Sequence, residues 1–317
     1  MPWTTITPWI AWAAVFIALT LLYFFVKVRD RITPIVLLLV YIVINLYFQL
    51  VVNFVIVNYW LRFLPVIALI FLLLRLLDRF HRKPWLPATR AQRLALGGLV
   101  LVLVVGVWVD LLVLGSYNYP KEPVKPVLLA YPMQTGLYVI ANGGSSTDGI
   151  GMNNAVRDWL GRPTGQPAGL TYGVDIMEMT ARGSLGTRIL SNERNDYEGW
   201  DEPVYAPCPG EVVAFENGHP DQAPLAVKDG FALGNYVVIQ CFEYYVTVSN
   251  LRNGFTPVKV GEFVDFSRIV GYMGSSGAPS LPHVHVHATV GGYDLNATPV
   301  PIEFEFKFKM RNGTYVR

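Results

Sequence analysis

Three of the five histidines of this 317-residue chain stand at alternate positions in one short segment. They are His283, His285 and His287, and they follow a loop of glycine and serine at residues 274–277. Because side chains alternate between the two faces of a strand, a strand here would carry all three imidazoles on one face. Imidazole nitrogen binds zinc and transfers protons near neutral pH. The segment therefore favours a metal or catalytic site over an ordinary polar strand face.

The segment resembles the last motif of the LytM/lysostaphin-type zinc peptidases, Gly-x-Thr-Gly followed by His-x-His. Four further segments resemble motifs of that family in the same order, and they are residues 171–175, 203–213, 234–239 and 260–271. Together the five segments span roughly residues 135–300. The resemblance implies a mostly antiparallel β domain of the duplicated hybrid motif type with a metal at its centre. It also implies hydrolysis of the peptide cross-bridges of peptidoglycan.

Carried over by position, the resemblance gives Asp175 and His285 as metal ligands and His283 as the histidine that assists catalysis. Two positions depart from the family. Thr171 stands where the first ligand histidine is expected, and Asn250 stands where a second assisting histidine is expected. A catalytic zinc site usually has three protein ligands and one water, so two ligands should bind the ion weakly.

Two other histidines could replace the missing ligand. His287 could do so if its strand bends, and His219 could do so from the loop that contains it. The expected cofactor is therefore zinc if the domain is active, and none otherwise. The two losses together favour a catalytically degenerate domain.

The first 115 residues must anchor this domain. Apolar runs at residues 9–26, 35–60 and 94–114 are each long enough for a membrane-spanning helix. The run at residues 63–77 is shorter and is adequate if Arg75 extends its charge to the membrane interface. Basic residues follow the first run and separate the third from the fourth: Lys27, Arg29, Arg31, Arg79, Arg82, Lys83, Arg90 and Arg93. Both loops are predicted to be cytoplasmic, which puts the C-terminal domain outside. We expect a multi-pass protein of the bacterial inner membrane with a periplasmic domain.

Three amides recur every four residues in the second run, Asn45, Gln49 and Asn53. On a helix they share one face and would need hydrogen-bond partners in the bilayer. Packing within the protein's own bundle and docking of another membrane subunit are both open interpretations.

Residues 116–134 are rich in proline and tyrosine and suggest a linker, and residues 135–317 form the predicted β domain. Strands are expected at residues 137–141, 211–215, 235–240, 244–248, 264–270 and 301–310. Cys208 and Cys241 flank two of these strands and could form a disulfide in an oxidising compartment, with two buried thiols as the alternative.

The net charge of +2 gives no reason to expect a nucleic acid partner. Three functions are compatible with the sequence. The domain could be a non-hydrolytic module that binds peptidoglycan or regulates a partner hydrolase, an active zinc endopeptidase acting on peptidoglycan, or a structural subunit of the cell envelope. The first is favoured because both departures from the family remove groups needed for catalysis.

Overall fold

The computed structural model describes residues 3–79, 83–117, 125–145, 153, 154, 156–226, 233–277, 281–305 and 307–316. The chain forms two compact units. The helical unit comprises Thr7–Val52 and Trp60–Leu114. The β unit comprises Met1–Ile6, Asn53–Tyr59 and Gly115–Arg317.

Four long helices account for the predicted spans: α1 (Trp3–Phe25), α2 (Ile32–Val51), α3 (Leu64–Arg79) and α4 (Arg90–Leu114). Each lies in a stretch long and apolar enough to cross a membrane, which confirms the four apolar helices. The second is shorter than the run at residues 35–60 because Val52 takes an extended conformation (φ −81°, ψ 130°) and ends α2. Residues 53–60 are therefore not part of that helix, and Asn53–Tyr59 belongs to the β unit.

The two basic loops of the helical unit contact each other. Arg31 donates from Nε to the Lys83 carbonyl at 2.7 Å, and Lys83 donates from Nζ to the Val28 carbonyl at 3.1 Å. The backbone NH of Arg31 also donates to the Pro84 carbonyl at 2.9 Å. The loops that follow α1 and α3 thus lie at one end of the helical unit, as their common charge predicts.

The polar stripe of the second span is shorter than predicted. Asn45 donates to the carbonyl of Tyr41 one turn earlier at 2.9 Å, and Gln49 donates to the carbonyl of Arg62. Asn53 lies beyond the end of α2, so the prediction that it shares a helical face with the other two amides is wrong. Gln49 finds its partner inside the helical unit, as the packing interpretation expects. Docking of another subunit at this face remains a prediction.

The β unit is built on one large, mostly antiparallel sheet. Its strands are β2 (Leu137–Asn142), β3 (Val174–Glu178), β5 (Gly210–Glu216), β6 (Asn235–Cys241), β7 (Tyr244–Leu251), β8 (Phe263–Val264), β10 (Val284–Val290), β11 (Thr298–Val300) and β14 (Thr314–Val316). The order across the described sheet is β14-β2-β3-β10-β7-β6-β5-β8, and β11 pairs with β10. Alternate apolar residues of the central strands, such as Ile176, Val248 and Val286, form the main core on one face.

Two smaller sheets complete the described β unit. One contains β1 (Val127–Leu129), β12 (Ile302–Phe304) and β13 (Lys307–Phe308), and the other pairs β4 (Pro203–Tyr205) with β9 (Ile269–Tyr272). Strand β1 pairs in parallel with β12, so part of the segment 116–134 is strand.

Two of the predicted strands are each two short strands. The segment 264–270 turns at Asp265, whose carboxylate accepts the backbone NH of Ser267 at 2.9 Å. The segment 301–310 turns at Glu305, where φ is +53°. Phenylalanine alternates with charged residues along this segment, and for an unbroken strand this pattern predicts a polar face that includes Lys307 and Lys309. The pattern does not reveal the break, and Lys309 is fully buried instead.

The two strands that the cysteines flank, β5 and β6, are adjacent and antiparallel, which is the arrangement that a bridge between the cysteines requires. Cys208 and Cys241 are joined by a disulfide with their Cα atoms 6.1 Å apart. Both residues belong to the main core of the β unit. The bridge closes a loop of 33 residues and stabilises the fold chiefly by restricting the unfolded chain.

We expect Cys208→Ser to lower the free energy of unfolding of the β unit by about 3 kcal/mol. The measurement is chemical denaturation of the full chain in detergent, with near-ultraviolet circular dichroism as the signal that reports unfolding. Reductant should destabilise the wild-type protein by a similar amount and leave the variant unchanged. A variant that keeps wild-type stability would contradict a structural role for the bridge.

Candidate functional site

The candidate site lies on the face of the large sheet opposite the main core, where β3, β10 and β7 run side by side. His285 of β10 is in register with Asp175 of β3 and with Ser249 of β7. The Nδ1 atom of His285 and the Oδ1 atom of Asp175 are 2.6 Å apart. The two residues that the family resemblance gives as metal ligands therefore meet directly, although 110 residues separate them in the chain.

The hydrogen bonds continue from His285 to His287. The Nε2 atom of His285 lies 3.1 Å from the Nδ1 atom of His287. When His285 donates from Nδ1 to Asp175 and accepts at Nε2, His287 donates from Nδ1. The Nε2 atom of His287 is then a buried acceptor with no hydrogen-bond partner among the described residues. Asp175, His285 and His287 thus form one linear chain of hydrogen bonds.

The charges in this chain are set by burial and by the hydrogen bonds. Burial of the Asp175 carboxylate would raise its pKa, but the interactions around it, of which the hydrogen bond from His285 is the largest, hold the pKa below its ordinary value. Burial, followed by the proximity of His285, holds the pKa of His287 well below its ordinary value. Asp175 is therefore ionised and His287 neutral at pH 7.

His283 lies one residue before β10 and is fully buried. Its Nδ1 atom is 2.7 Å from the Leu281 carbonyl, so Nδ1 carries the proton and Nε2 accepts. The side-chain amide of Asn250 occupies that acceptor, with Nδ2 2.6 Å from Nε2. Burial lowers the pKa of His283 and keeps it neutral. Neither ring nitrogen is left to hold a water or a developing oxyanion.

The backbone at Asn250 suits asparagine better than histidine. Asn250 has φ +63°, in the left-handed region that asparagine tolerates well. A Cβ at Gly277 would lie 1.8 Å from the Asn250 Oδ1 atom, so the 274–277 loop packs directly against the amide. Ser276 fixes this loop by donating to the Leu251 carbonyl at 2.7 Å. The left-handed backbone at residue 250 and the close packing of the 274–277 loop therefore both favour asparagine over the histidine of the family.

Thr171 lies in a short loop that runs over His285. A Cβ at Gly173 would lie 2.5 Å from the His285 Cε1 atom, so only glycine fits there. The Thr171 hydroxyl donates to the Ala168 carbonyl at 2.6 Å, which is an ordinary structural bond at the end of a 3-10 turn. The position where the resemblance expects a ligand is therefore occupied by a buried hydroxyl that holds its own loop.

A polar network behind this loop was not apparent from the sequence. Asn153, fully buried, donates to the carbonyls of Gly144 at 2.7 Å, Gly173 at 3.1 Å and Thr171 at 3.2 Å. Asn142 donates to Asn153 at 3.1 Å and accepts from Arg311 at 2.9 Å. The only sequence signal here is Asn-Gly-Gly at residues 142–144, which indicates a turn and gives no hint of a positioning network.

These donors do not fit a catalytic zinc ion. Asp175 and His285 could share an ion, but His287 contacts the opposite nitrogen of the His285 ring, so one ion cannot bind all three. His219 is held through its backbone by Asn235, with two bonds of 2.8 Å. Among the described residues, no group of three or more His, Cys, Asp or Glu side chains is arranged to hold a metal. Three protein ligands are the usual minimum for catalytic zinc.

Comparison with protein families supports the resemblance seen in the sequence. Residues 196–297 match peptidase family M23, about a third of the chain. The match includes Asn250 and the three histidines of residues 283–287, and it begins after Thr171 and Asp175. This part of the chain is thus similar to the M23 peptidases, whose members are zinc-dependent. No curated protein matches the chain.

Several solved structures are similar to part of the chain. A zinc-containing peptidase from Vibrio cholerae is 22% identical, with a TM-score of 0.33 over 54% of this chain and 37% of that one. The catalytic domain of lysostaphin from Staphylococcus simulans is 22% identical, with a TM-score of 0.27 over 40% and 71%. The prophage-encoded M23 protein EnpA from Enterococcus faecalis, as a catalytic-domain variant, is 23% identical, with a TM-score of 0.26 over 37% and 82%. The chain therefore spans little more than a third of the first of these proteins.

Proposed function

We propose that this M23 peptidase domain is a membrane-anchored, extracytoplasmic module that binds or regulates within the bacterial cell envelope and does not hydrolyse peptides. The observation that carries the proposal is the contact between Asn250 Nδ2 and His283 Nε2 at 2.6 Å. It closes off the nitrogen that would assist the reaction, in a pocket that supplies two metal ligands.

The hydrolytic reaction of a zinc peptidase requires an activated water and a group that stabilises the developing charge. Water activation depends on a tightly held metal, and Asp175 and His285 supply only two of the usual three ligands. Charge stabilisation depends on a side chain with a free donor, and the His283 ring donates to the Leu281 carbonyl. Two separate structural features therefore support a domain that does not hydrolyse peptides.

The proposed membrane topology is supported by the composition of the two units. The helices α3 and α4 separate the Asn53–Tyr59 segment from residues 115–317, and both segments belong to the β unit. An even number of crossings returns a chain to the same side of a bilayer, so two crossings allow both segments to belong to one unit. The basic loops after α1 and α3 favour the cytoplasm for the opposite side. A disulfide in the β unit suits the periplasm, which is oxidising.

The proposed partners follow from the family. M23 peptidases act on peptidoglycan, so its peptides are the first candidates for a domain that keeps the fold without the reaction. A partner hydrolase is the second candidate. Another membrane subunit that docked on α2 would contact the half-buried Gln49 rather than Asn45, which is buried.

Elemental analysis of the purified full chain, combined with co-sedimentation on peptidoglycan, tests the proposal. We expect much less than one zinc per chain, retention on insoluble peptidoglycan and no release of soluble peptide fragments. A chain that neither binds zinc nor sediments with peptidoglycan would contradict the binding role and favour a structural subunit.

The second candidate is an active zinc endopeptidase, favoured by the 2.6 Å approach of Asp175 and His285. It predicts one tightly bound zinc and fragment release that His285→Ala abolishes. Asn250→Ala serves as the matched variant, because it alters the other end of the pocket without removing a ligand.

A further inference from the structure

The segment between α2 and α3, Asn53–Tyr59, is one of the most buried parts of the β unit. Phe54 and Val55 have no exposed surface, and Ile56 and Tyr59 are also buried. A loop that connects two spans ordinarily runs over a surface and is polar. This loop, named here the 53–59 loop, instead supplies core residues to a unit whose strands all come from residues 127–316 among the described residues.

Hydrogen bonds fix the loop at both of its ends. The backbone NH of Tyr59 donates to the Gly183 carbonyl at 2.7 Å, and the Tyr59 hydroxyl donates to the Asn312 carbonyl at 3.2 Å. Asn58 donates to the Arg182 carbonyl at 2.9 Å. The backbone NH of Phe54 donates to the Asn312 side chain at 3.4 Å. The loop therefore has a defined seat in the β unit.

The same loop joins a core cluster that reaches the candidate site. The cluster includes Val55, Ile56 and Tyr59 of the loop together with Met177 and Leu281. Leu281 provides the carbonyl that accepts the His283 Nδ1 proton, and Met177 lies two residues from Asp175 on the same strand. Side chains two residues apart on a strand share a face, so Met177 and Asp175 point the same way. The loop thus packs in the layer that positions both His283 and Asp175.

We propose that the 53–59 loop is a conformational link through which the helices α2 and α3 set the geometry of the candidate site. Gln49 precedes the loop and Arg62 follows it, and the Gln49 side chain donates a hydrogen bond to the Arg62 carbonyl within the helical unit. A shift of α2 relative to α3 changes the span that the loop must bridge. Because the loop and Leu281 belong to one buried cluster, that change reaches the carbonyl that holds His283. The inference holds whether or not the pocket binds metal.

Hydrogen–deuterium exchange on the full chain in detergent tests the link. Tyr59→Ala removes the ring from the cluster, and we expect at least tenfold faster exchange in peptides that cover residues 281–287. Trp60→Ala is the matched control, because Trp60 is the adjacent aromatic residue, is 48% exposed and lies outside the cluster. Tyr59→Phe keeps the ring and loses only the hydroxyl bond, so its effect should be small.

The link is refuted if Tyr59→Ala accelerates exchange in the 53–59 loop alone and leaves residues 281–287 at the wild-type rate. If Tyr59→Ala unfolds the β unit, a cross-link replaces it as the test. Asn58→Cys combined with Arg182→Cys should form a second disulfide beside the native one, detected by peptide mass spectrometry. Neither single variant should do so, and failure of the pair to cross-link would refute the seating of the loop.

Discussion

Replacing Thr171 by histidine is expected to convert the candidate site into a zinc site. The variant places an imidazole four residues before Asp175, at the position of the missing ligand, in a loop whose Gly173 already contacts His285. Three ligands would then be available, as in most catalytic zinc sites. Structural zinc with four ligands binds with about 10–16 kcal/mol, so one added ligand is worth roughly 3 kcal/mol. That energy corresponds to an affinity gain on the order of a hundredfold.

The measurement is zinc content after dialysis, together with titration of cobalt, whose visible spectrum reports tetrahedral coordination. Thr171→Ala is the control for loss of the hydroxyl bond to Ala168, and it should bind no more zinc than the wild-type chain. Adding His285→Ala to Thr171→His should remove the gain. If Thr171→His binds no metal, or if the gain survives His285→Ala, then Asp175 and His285 do not form the site argued here.

The same variant separates metal binding from catalysis. Asn250 still blocks the Nε2 atom of His283, so Thr171→His alone should hold zinc without cleaving peptides. Asn250→His would restore the family's residue, but φ is +63° there, a conformation that costs histidine more than asparagine. The two departures from the family therefore differ in how easily they can be reversed.

The sequence predicts those parts of the site that depend on the alternation of side chains along a strand and on the order of the motifs. Alternation of His283, His285 and His287 and the order of the five motifs were enough to bring Asp175 and His285 together. Neither signal contains the ring orientation of His285, which puts Asp175 and His287 on opposite nitrogens and excludes His287 as a third ligand of the same ion. That exclusion needs coordinates because it depends on a side-chain torsion.

The contacts that the sequence does not predict are long-range and made by ordinary residues. Asn153 and Arg311 act through hydrogen bonds to backbone carbonyls and to Asn142, and such contacts leave no periodic pattern. The sequence predicts the 53–59 loop as part of the second span because its apolar residues continue the run that precedes it. Hydrophobicity alone does not distinguish residues buried in lipid from residues buried in a β unit.

Lys309 is another residue whose surroundings the sequence does not predict, and we expect its replacement to have a large effect on the stability of the β unit. The break at Glu305 buries Lys309 completely, with Nζ 3.8 Å from the centre of the Tyr315 ring. Among the described residues, Nζ has no hydrogen-bond acceptor. Burial, followed by repulsion from Lys307, lowers the pKa of Lys309 to about 8. The folded state therefore includes an ammonium group that is poorly solvated.

We expect Lys309→Met to raise the free energy of unfolding of the β unit at pH 7 by about 1–3 kcal/mol. A drop in pKa from 10.5 to about 8 corresponds to an upper value of about 3 kcal/mol, and loss of the cation–π contact offsets part of it. Methionine keeps the length of the side chain without its charge. Lys307→Met, at the exposed neighbouring lysine, is the matched control and should change stability little.

The pH dependence separates this explanation from better packing by methionine. Between pH 8 and 10.5 the unfolded chain binds more protons at Lys309 than the folded chain does, so wild-type stability should rise with pH across that window. Below pH 8 the lysine is charged in both states and its cost is constant. The gain of Lys309→Met over the wild type should therefore be largest below pH 8 and shrink towards pH 10.5. A gain that stays constant across this range would mean that methionine packs better and that the buried charge contributes nothing.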